Sequence, residues 1–320
     1  MLGPKLISTL EQDAATLVAA YPPIWRDRNK QLVASLSSPP GAKHRGRIRV
    51  TRWRAGELPE TLGAPVALEA RQDVFGYEPA PAGEVHWHLN FADRRLFIAY
   101  GSPLLAQDEL QVLEHPALGS VAEAMSALPD QTPLTAEDDP TPILIAGVER
   151  RCAFETAPNF DAGRIYGLYG NRFHRATPEQ VVDAVDVLDP PTLSNILAIE
   201  APTGYRGRYT AAQIRFVLRT AIAGYAAALA ESRGDVVIHT GFWGCGAYGG
   251  NRELMVALQI IAARAVGIAR LVFHTVGEDG MDRYRAGQAV AHALAELERL
   301  DAVVAALVEL GFEWGESDGN

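Results

Sequence analysis

Cysteine and long apolar runs are both scarce in this chain of 320 residues. The two cysteines, Cys152 and Cys245, are too few for a disulfide framework, and no Cys-x-x-Cys pair is present for structural zinc. The most apolar stretch, from Met255 to Val276, is interrupted by Arg264 and Arg270, so it cannot cross a bilayer cheaply. We therefore expect neither a disulfide-stabilised nor a membrane-spanning protein.

Basic residues are also in deficit. With 29 Lys and Arg against 39 Asp and Glu, the formal net charge is −10. This charge argues against a nonspecific nucleic-acid binder, because such a protein needs a basic surface, but it is compatible with a small anionic ligand held by a local loop. The first residues lack the basic start, apolar run and cleavage site of a targeting segment. We expect a cytoplasmic protein.

The first 83 residues follow an irregular pattern. Leu6 to Ala20 has helical spacing, a basic patch from Arg26 to Lys30 follows, and short runs with Pro and Gly continue to Gly83. We interpret residues 1–83 as an accessory region of helices and loops, whose basic residues form a solvated face. The remaining residues, 84–320, are predicted to form the main domain.

Short apolar or alternating runs predict the strands of the main domain. They are Val85–Phe91, Pro142–Val148, Ile196–Ala201, Asp235–Thr240 and Arg270–Val276. Apolar residues at helical spacing predict helices at Ile214–Leu229 and Leu254–Ala265, and a final helix at Tyr284–Leu310. Strands that alternate with helices indicate an α/β fold, with a largely parallel sheet covered on both faces.

A glycine-rich loop connects the strand Asp235–Thr240 to the next helix. Residues 240–251 are Thr-Gly-Phe-Trp-Gly-Cys-Gly-Ala-Tyr-Gly-Gly-Asn, and Asn251 is a good N-cap residue. The N–H groups of such a loop and the positive end of the helix favour an anion, typically a phosphate. The alternative is a tight turn that binds no ligand.

The same loop contains a Gly-x-Gly-x-x-Gly match at Gly244, Gly246 and Gly249, with Glu278 after the next strand. This spacing alone would suggest a dinucleotide-binding unit. That unit normally starts a domain of six strands, whereas only one predicted strand and one long helix follow here. The position of the match therefore disfavours dinucleotide binding.

Several segments together resemble the poly(ADP-ribose) glycohydrolase family. Trp-Gly-Cys-Gly-Ala-Tyr-Gly-Gly, at 243–250, closely resembles the family's diphosphate-binding loop. Upstream, Asn-Phe-Ala-Asp at 90–93 resembles its Asp-Phe-Ala-Asn stretch with the two polar residues interchanged, and Gln-Asp-Glu at 107–109 resembles its Gln-Glu-Glu catalytic signature with the first glutamate shortened. Weaker matches at 143–149, 198–206 (including Tyr205) and 275–278 extend the resemblance to roughly residues 84–280. The resemblance implies a macrodomain-like, mostly parallel mixed sheet flanked by helices, with an N-terminal helical accessory layer.

The resemblance also implies residue roles. Glu109 would protonate the departing ribose oxygen and then activate water, as glycosidic cleavage requires, and Asp108 would hold a ribose hydroxyl. Asn90 would bond the second carboxylate or the ribose, and Gln107 would fix the loop. The substrate-binding set also includes Asp93 and the glycine-loop residues Gly244, Cys245, Gly246, Ala247, Tyr248 and Gly249. Without the family, two acidic residues in the first turn of a helix would simply complement the helix dipole.

Two further departures from the family pattern concern the ligand surface. Phe97-Ile98-Ala99 stands where the family has three glycines, and bulky residues there would close a surface that touches the ribose and diphosphate. The two rings that enclose adenine are replaced by Val276 and by a residue near Ala157. Tyr166 or Tyr169 could compensate, because a stacking ring contributes on the order of 1 kcal/mol beyond area burial.

No metal or cofactor is expected. His86 and His88 lie on one face of a strand, but no third ligand at a suitable spacing is visible, so zinc is disfavoured. Core packing explains Trp243 at least as well as ligand stacking does, and Tyr248 is expected to face the ligand. Cys245 has no His nearby and is expected to be a small filler and not a nucleophile.

The leading hypothesis is a glycosidase-type hydrolase that uses Glu109 to cleave a ribosyl bond in ADP-ribose conjugates or a related nucleotide-ribosyl compound. A noncatalytic module that binds ADP-ribose or another phosphorylated ligand is the alternative, favoured by Phe97-Ile98-Ala99 and the missing adenine rings. A specialised enzyme that acts on a smaller phosphorylated ribosyl substrate is a third possibility.

Overall fold

The computed structural model describes residues 3–203 and 206–319. Its strands, in chain order, are β1 (Lys5–Asp13), β2 (Arg47–Arg54), β3 (Ala67–Arg71), β4 (Glu84–Ala92), β5 (Thr135–Ala136), β6 (Asp139–Pro140), β7 (Ile143–Phe154), β8 (Val185–Glu200), β9 (Asp235–Thr240) and β10 (Arg270–His274). Eight of them form one sheet, in the order β1-β2-β7-β8-β4-β9-β10-β3, and β5 pairs with β6 separately.

The direction of the strands divides the sheet into two parts. The strands β8, β4, β9, β10 and β3 run parallel to one another. The strands β1, β2 and β7 are joined by antiparallel pairing, and β7 is also antiparallel to β8. In the register of the parallel part, Ala92 at the end of β4 pairs with Glu200 at the end of β8. The carboxyl ends of the parallel strands therefore meet at one edge of the sheet.

Helices cover both faces of the sheet. They are α1 (Ala14–Ala20), α2 (Arg28–Ser37), α3 (Gln107–Glu114), α4 (Ala117–Ser126), α5 (Pro178–Asp183), α6 (Ala211–Glu231), α7 (Arg252–Val266), α8 (Glu278–Ala293) and α9 (Leu300–Glu309), with a 3₁₀ helix at Gly170–Arg175. Trp87 and Leu89 of β4 pack into one core with α6, α7 and α9. A second core, on the other face, joins α1 and α4 to residues such as Ile48 and Ile145.

The mixed α/β sheet flanked by helices is confirmed, and most predicted elements are present. The strand at Asp235–Thr240 is found with the predicted bounds. The predicted final helix is two helices, α8 and α9, separated by a turn at residues 294–299. The predicted N-terminal helix is wrong in its first half, because Lys5–Asp13 is the edge strand β1, paired with β2. Its second half is α1.

The N-terminal 83 residues contribute more than helices and loops. They supply β1 and β2 to one edge of the sheet and β3 to the opposite edge, where β3 pairs with β10. The division at residue 83 stays a prediction, but the two parts share one sheet. Tyr205, part of a weaker match to the family pattern, lies outside the described residues. No helix in residues 3–203 and 206–319 is long and apolar enough to cross a membrane.

Candidate functional site

The candidate site lies at the edge where the parallel strands end. The strand β4 ends at Ala92 and is followed by a loop that leads to α3, and β9 ends at Thr240 and is followed by the glycine loop. Because β4 and β9 are hydrogen-bonded parallel neighbours, their carboxyl ends bring the two segments to the same place. Two regions 130 or more residues apart in the chain thus become adjacent.

Polar side chains join the start of α3 to β4. The side chain of Gln107 donates to the carbonyl of Leu89 (3.1 Å) and accepts from the N–H of Phe91 (2.8 Å), so it spans the strand's end. Asn90 is fully buried and donates to Asp108 Oδ1 (3.1 Å). The amide of Asn90 thus bonds the first carboxylate and not the second, and its expected contact with the ribose stays a prediction.

The carboxyl group of Glu109 lies in the first turn of α3 and is 3% exposed. One of its oxygens accepts from the backbone N–H of Ala106 (3.0 Å), the N-cap residue of the helix. This bond is the acidic half of a capping box, and the methyl side chain of Ala106 cannot supply the other half. Burial raises the pKa of Glu109, and the positive charge of Lys30 opposes this rise. Burial, followed by the charge of Glu109, raises the pKa of Asp108 well above its usual range. The pair therefore binds protons more readily than free carboxylates do.

Lys30 is a charged neighbour of the carboxyl pair that the sequence pattern did not predict. The basic patch that contains it was predicted to be solvated, but Lys30 is fully buried. Its Nζ donates to the carbonyls of Tyr100 (2.7 Å) and Leu104 (2.6 Å), in the loop before α3. Burial lowers the pKa of Lys30 to about 8, and the charge of Glu109 is the largest influence opposing that fall. Lys30 lies three residues after Asp27, the N-cap of α2, and the local sequence gave no signal of its burial.

The glycine loop follows the predicted geometry of strand, bend and helix. The side chain of Asn251 caps α7 by accepting from the N–H of Leu254 (3.0 Å). Gly244 has a left-handed φ of 73°, and a Cβ atom there would lie 2.9 Å from the ring of Pro202. Within the described part of the chain, no hydrogen-bond acceptor is found for the N–H groups of Gly246, Ala247 and Tyr248. Such amides next to a helix N-terminus suit an anion.

A hydrogen bond joins the glycine loop to the upstream motif. The hydroxyl of Tyr248 donates to Asp93 Oδ2 (2.7 Å). Burial, the bond with Asp93 and the nearby charges of Asp108 and Glu109 all raise the pKa of Tyr248. The carboxyl pair and the glycine loop therefore lie close together at this edge of the sheet, which we call the candidate crevice (Asn90–Asp93, Gln107–Glu109 and Gly241–Asn251).

The other loop side chains have structural contacts. Trp243 is fully buried in the core, as core packing predicted. Cys245 is buried, and its Sγ lies 3.6 Å from the carbonyl oxygen of Trp243. Burial raises the pKa of the Cys245 thiol, so this thiol is a poor nucleophile at neutral pH.

The comparison with protein families concerns the part of this site that contains the glycine loop. Residues 164–283 match the family model of poly(ADP-ribose) glycohydrolase (PARG), macro domain fold. The match includes β8, β9, the glycine loop and α7, and it does not reach the carboxyl pair. The resemblance to this family is confirmed.

Solved structures with a similar chain course include poly(ADP-ribose) glycohydrolases from two organisms. The enzyme from Thermomonospora curvata is 17% identical, with 88% of this chain and 85% of that chain covered and a TM-score of 0.46. Its complex with the inhibitor ADP-HPD is 16% identical, with 88% of this chain and 84% of that chain covered and a TM-score of 0.46. The Deinococcus radiodurans enzyme in complex with ADP-ribose is 13% identical, with 91% of this chain and 95% of that chain covered and a TM-score of 0.42. No residue role follows from similarities this distant. A comparison with curated proteins finds no match.

The departures of this chain from the family pattern are visible in the loops. Phe97 does not cover the crevice, because its side chain is buried in the core and its backbone has a left-handed φ of 51°. Ile98 is the bulky exposed residue of that segment. Val276 is 65% exposed and also left-handed, with φ of 53°, an uncommon and costly conformation for a β-branched residue.

Tyr169 is the aromatic ring that lies beside the carboxyl pair. Burial raises its pKa to about 12, with the charges of Glu109 and Asp318 adding to the rise. Tyr166 is largely exposed, with the guanidinium of Arg172 5.8 Å from its ring centroid. By solvent exposure Tyr169 is 39% and Tyr166 is 74% exposed, so part of each ring is accessible to a ligand, and their contact with adenine stays a prediction.

Histidines form a line on the face of β4 that also carries Asn90. His86 contacts Glu84 (2.7 Å) and His239 (3.1 Å), and His239 contacts His274 (3.1 Å), which contacts Asp73 (3.1 Å). The side chain of His88 stacks on His239 at 4.4 Å between ring centroids. Among the described residues, no group of three or more His, Cys, Asp or Glu could hold a metal ion.

Proposed function

We propose that the chain is a glycosidase-type hydrolase that cleaves a ribosyl bond in an ADP-ribose conjugate or a related nucleotide-ribosyl compound. The observation that carries the proposal is the bond between Tyr248 and Asp93, which holds the glycine loop against the segment that carries the carboxyl pair. The match of residues 164–283 to the poly(ADP-ribose) glycohydrolase family supports it. An anion site and a carboxylic acid in one crevice suit a phosphorylated glycoside.

In the proposed reaction, Glu109 acts first as general acid. Its carboxyl proton passes to the departing ribose oxygen while the bond between the anomeric carbon and that oxygen breaks, which leaves an oxocarbenium-like centre. The resulting carboxylate then removes a proton from a water that attacks this centre, so Glu109 ends protonated, as it began. The raised pKa of Glu109, caused mainly by burial, favours the protonated starting form.

The other residues of the candidate crevice have positioning roles in this proposal. Asp108 would hold a ribose hydroxyl, and Asn90 fixes the orientation of that carboxyl group through its 3.1 Å bond. Gln107 would keep α3 against β4 by its two bonds to the backbone of the strand. The N–H groups of residues 246–248 would bind the diphosphate. Asp93, bonded to Tyr248, would set the width of the crevice.

The proposal is tested by replacing the acid while keeping the helix cap. Glu109→Gln retains the bond to the backbone N–H of Ala106, since the amide oxygen of Gln accepts from the same N–H, but an amide cannot donate a carboxyl proton. We expect release of ADP-ribose from ADP-ribosylated protein to fall by about 100-fold or more. Product release is measured by liquid chromatography on auto-modified protein carrying polymeric or single ADP-ribose units.

The exposed Glu296 provides the matched control. Glu296→Gln makes the same chemical change in the connection between α8 and α9 and should leave turnover unaltered. Unchanged turnover in Glu109→Gln would refute the role of the acid. If the wild-type protein releases no product from polymeric or single-unit substrate but still binds ADP-ribose, the alternative below is selected.

A noncatalytic binding module is the second candidate function. The observation that favours it is the capping bond between Glu109 and Ala106, together with the 3% exposure of Glu109, because a capped acid is not directed at a ligand. Calorimetry with ADP-ribose separates the two functions. Binding that Gly246→Val abolishes, without product after long incubation, supports the module. Product formation excludes it.

A further inference from the structure

The segment after α9 returns to the candidate crevice. Trp314 anchors this segment. Its ring stacks on Tyr209 at 4.1 Å between centroids, and its backbone N–H donates to the carbonyl of Gly207 (2.8 Å). Beyond this anchor, residues 315–319 are exposed. We call residues 315–319 the C-terminal strap.

The strap lies on the glycine loop through backbone contacts. The N–H of Gly315 donates to the carbonyl of Gly249 (2.7 Å), and the N–H of Asp318 donates to that of Gly246 (3.4 Å). Farther along, the side chain of Asn171 donates to the carbonyl of Gly319 (2.6 Å). The strap therefore bridges the glycine loop and the 3₁₀ helix.

The approach of the strap is close enough to require glycine in the loop. A Cβ atom on Gly249, which has a left-handed φ of 65°, would lie 2.6 Å from the carbonyl oxygen of Gly315. A Cβ atom on Gly246 would lie 3.0 Å from Asp318 Oδ2. The bare backbone that would admit a phosphate thus already faces a carboxylate of the same chain.

The charge of Asp318 extends into the crevice. It contributes to the raised pKa of Tyr169, as does the charge of Glu109, so both acids act on the same phenol. Asp318 also lines a cavity of about 310 Å³ together with Tyr169, Asn171, Arg172 and Arg175. An anionic ligand that enters here would meet this carboxylate at short range, and like charges in a partly dehydrated site repel each other.

We infer that Asp318 is a specificity-determining residue whose carboxylate lies where the diphosphate of a ligand would bind, so that the strap and the ligand exclude each other. The inference rests on the proposed function for the identity of the ligand. The backbone hydrogen bonds of the strap to the glycine loop contribute about 1 kcal/mol net each, and charge-assisted bonds are about twice as strong, so a diphosphate with several such bonds can displace the strap. The strap thus lowers the affinity for all anions and selects those that bond the loop fully.

The test compares the full chain with a chain that ends after Trp314, which keeps the anchor. Asp318→Asn removes the charge alone, and Glu316→Gln, on the same strap, is the matched control. Dissociation constants are measured by calorimetry for two probes, ADP-ribose and inorganic pyrophosphate, after thermal unfolding has shown that each variant is folded. We expect about tenfold tighter ADP-ribose binding in the truncated chain, about threefold tighter binding in Asp318→Asn, and no change in Glu316→Gln.

The two probes separate this inference from the proposed function. Equal or weaker ADP-ribose binding in the truncated chain overturns the inference, because the strap would then be a wall of the site. If ADP-ribose binds to no variant but pyrophosphate binds more tightly to the truncated chain, the inference holds and the proposed function fails. If neither probe binds to any variant, both are wrong.

Discussion

Lys30 is a buried cation whose charge acts on Asp108 and Glu109 from the N-terminal part of the chain. Burying an ammonium costs several kcal/mol unless carbonyls or carboxylates surround it. Here two carbonyl oxygens of the loop before α3 accept hydrogen bonds from its ammonium group. The same contacts hold the loop that begins the helix of the carboxyl pair. Lys30 therefore combines a structural role with an electrostatic one.

Replacing Lys30 tests the electrostatic role. The cation opposes the rise of the pKa of Glu109, so Lys30→Met should raise that pKa further. A general acid with a higher pKa stays protonated to higher pH, and the alkaline limb of the rate profile should therefore move to higher pH. The measurement is kcat against pH. Lys30→Arg, which keeps the charge, should leave the limb in place.

A purely structural role predicts a different result. In that case Lys30→Met would scale the whole profile down and keep its midpoints, because fewer molecules would be folded. An unmoved alkaline limb in Lys30→Met, with folding verified by circular dichroism, contradicts the electrostatic role.

At the scale of elements, β4 shows how one strand serves both the core and the site. Trp87 and Leu89 point into one core, while His86, His88 and Asn90 alternate with them and lie on the opposite face. Of these, His88 is 2% exposed, and neither of its nitrogens has a hydrogen-bond partner in the described part of the chain. An unsatisfied buried polar group costs about 1–3 kcal/mol. The ring of His88 is therefore held by stacking at the expense of stability.

His88→Phe should accordingly stabilise the protein. Phenylalanine keeps a ring for stacking on His239 and Tyr77 and removes the unpaired nitrogens, so we expect the free energy of unfolding at pH 7 to rise by about 1 kcal/mol. His115→Phe is the matched control, because both nitrogens of His115 are bonded, to the Gln111 carbonyl (2.8 Å) and to Ser194 (2.9 Å). The control should lose stability. Urea denaturation measures both variants.

The same variants predict the pH dependence of stability. Burial lowers the pKa of His88 well below its usual value, as it lowers that of His115 to about 3. Below about pH 6.5 the unfolded chain then binds more protons than the folded chain. The free energy of unfolding therefore decreases as the pH is lowered through that range. The loss between pH 6.5 and 4.5 should be smaller in His88→Phe than in the wild type. Parallel curves for the two would contradict this account.

At the scale of the whole molecule, the sheet unites the two predicted regions. The N-terminal region supplies β1 and β2 at one edge of the sheet and β3 at the other. The strand β3 is paired with β10 along five residues, Arg270–His274. Removing residues 1–83 would expose the edges of β7 and β10 and the core under α1, and it would also remove Lys30. The interface between the regions is thus part of one core.

We therefore expect a fragment of residues 84–320 not to fold on its own. It should show reduced ellipticity at 222 nm and rapid proteolysis, whereas the full chain should be resistant. A cooperative thermal transition of the fragment near that of the full chain would contradict this expectation and would support the domain boundary at residue 83.

Local patterns accounted for the centre of the molecule. The strands β4 and β9 were predictable because β4 alternates apolar and polar residues and β9 is a short apolar run. The helix that starts after Asn251 was predictable because an N-cap is set by a residue's own neighbours. The glycine loop was recognisable from its residues alone. Lys5–Asp13 was not, because its spacing fits a short helix equally well and only pairing with β2 decides for a strand.

The sequence by itself determined the alternating strands and helices, the glycine loop and the acidic pair, because each depends on residues close together in the chain. Only the tertiary structure decided which of these meet. It placed Asp93 against Tyr248, Lys30 under the carboxyl pair and Asp318 on Gly246. Such contacts depend on strand order and on burial, which distant parts of the chain settle together as the sheet forms and the core excludes water.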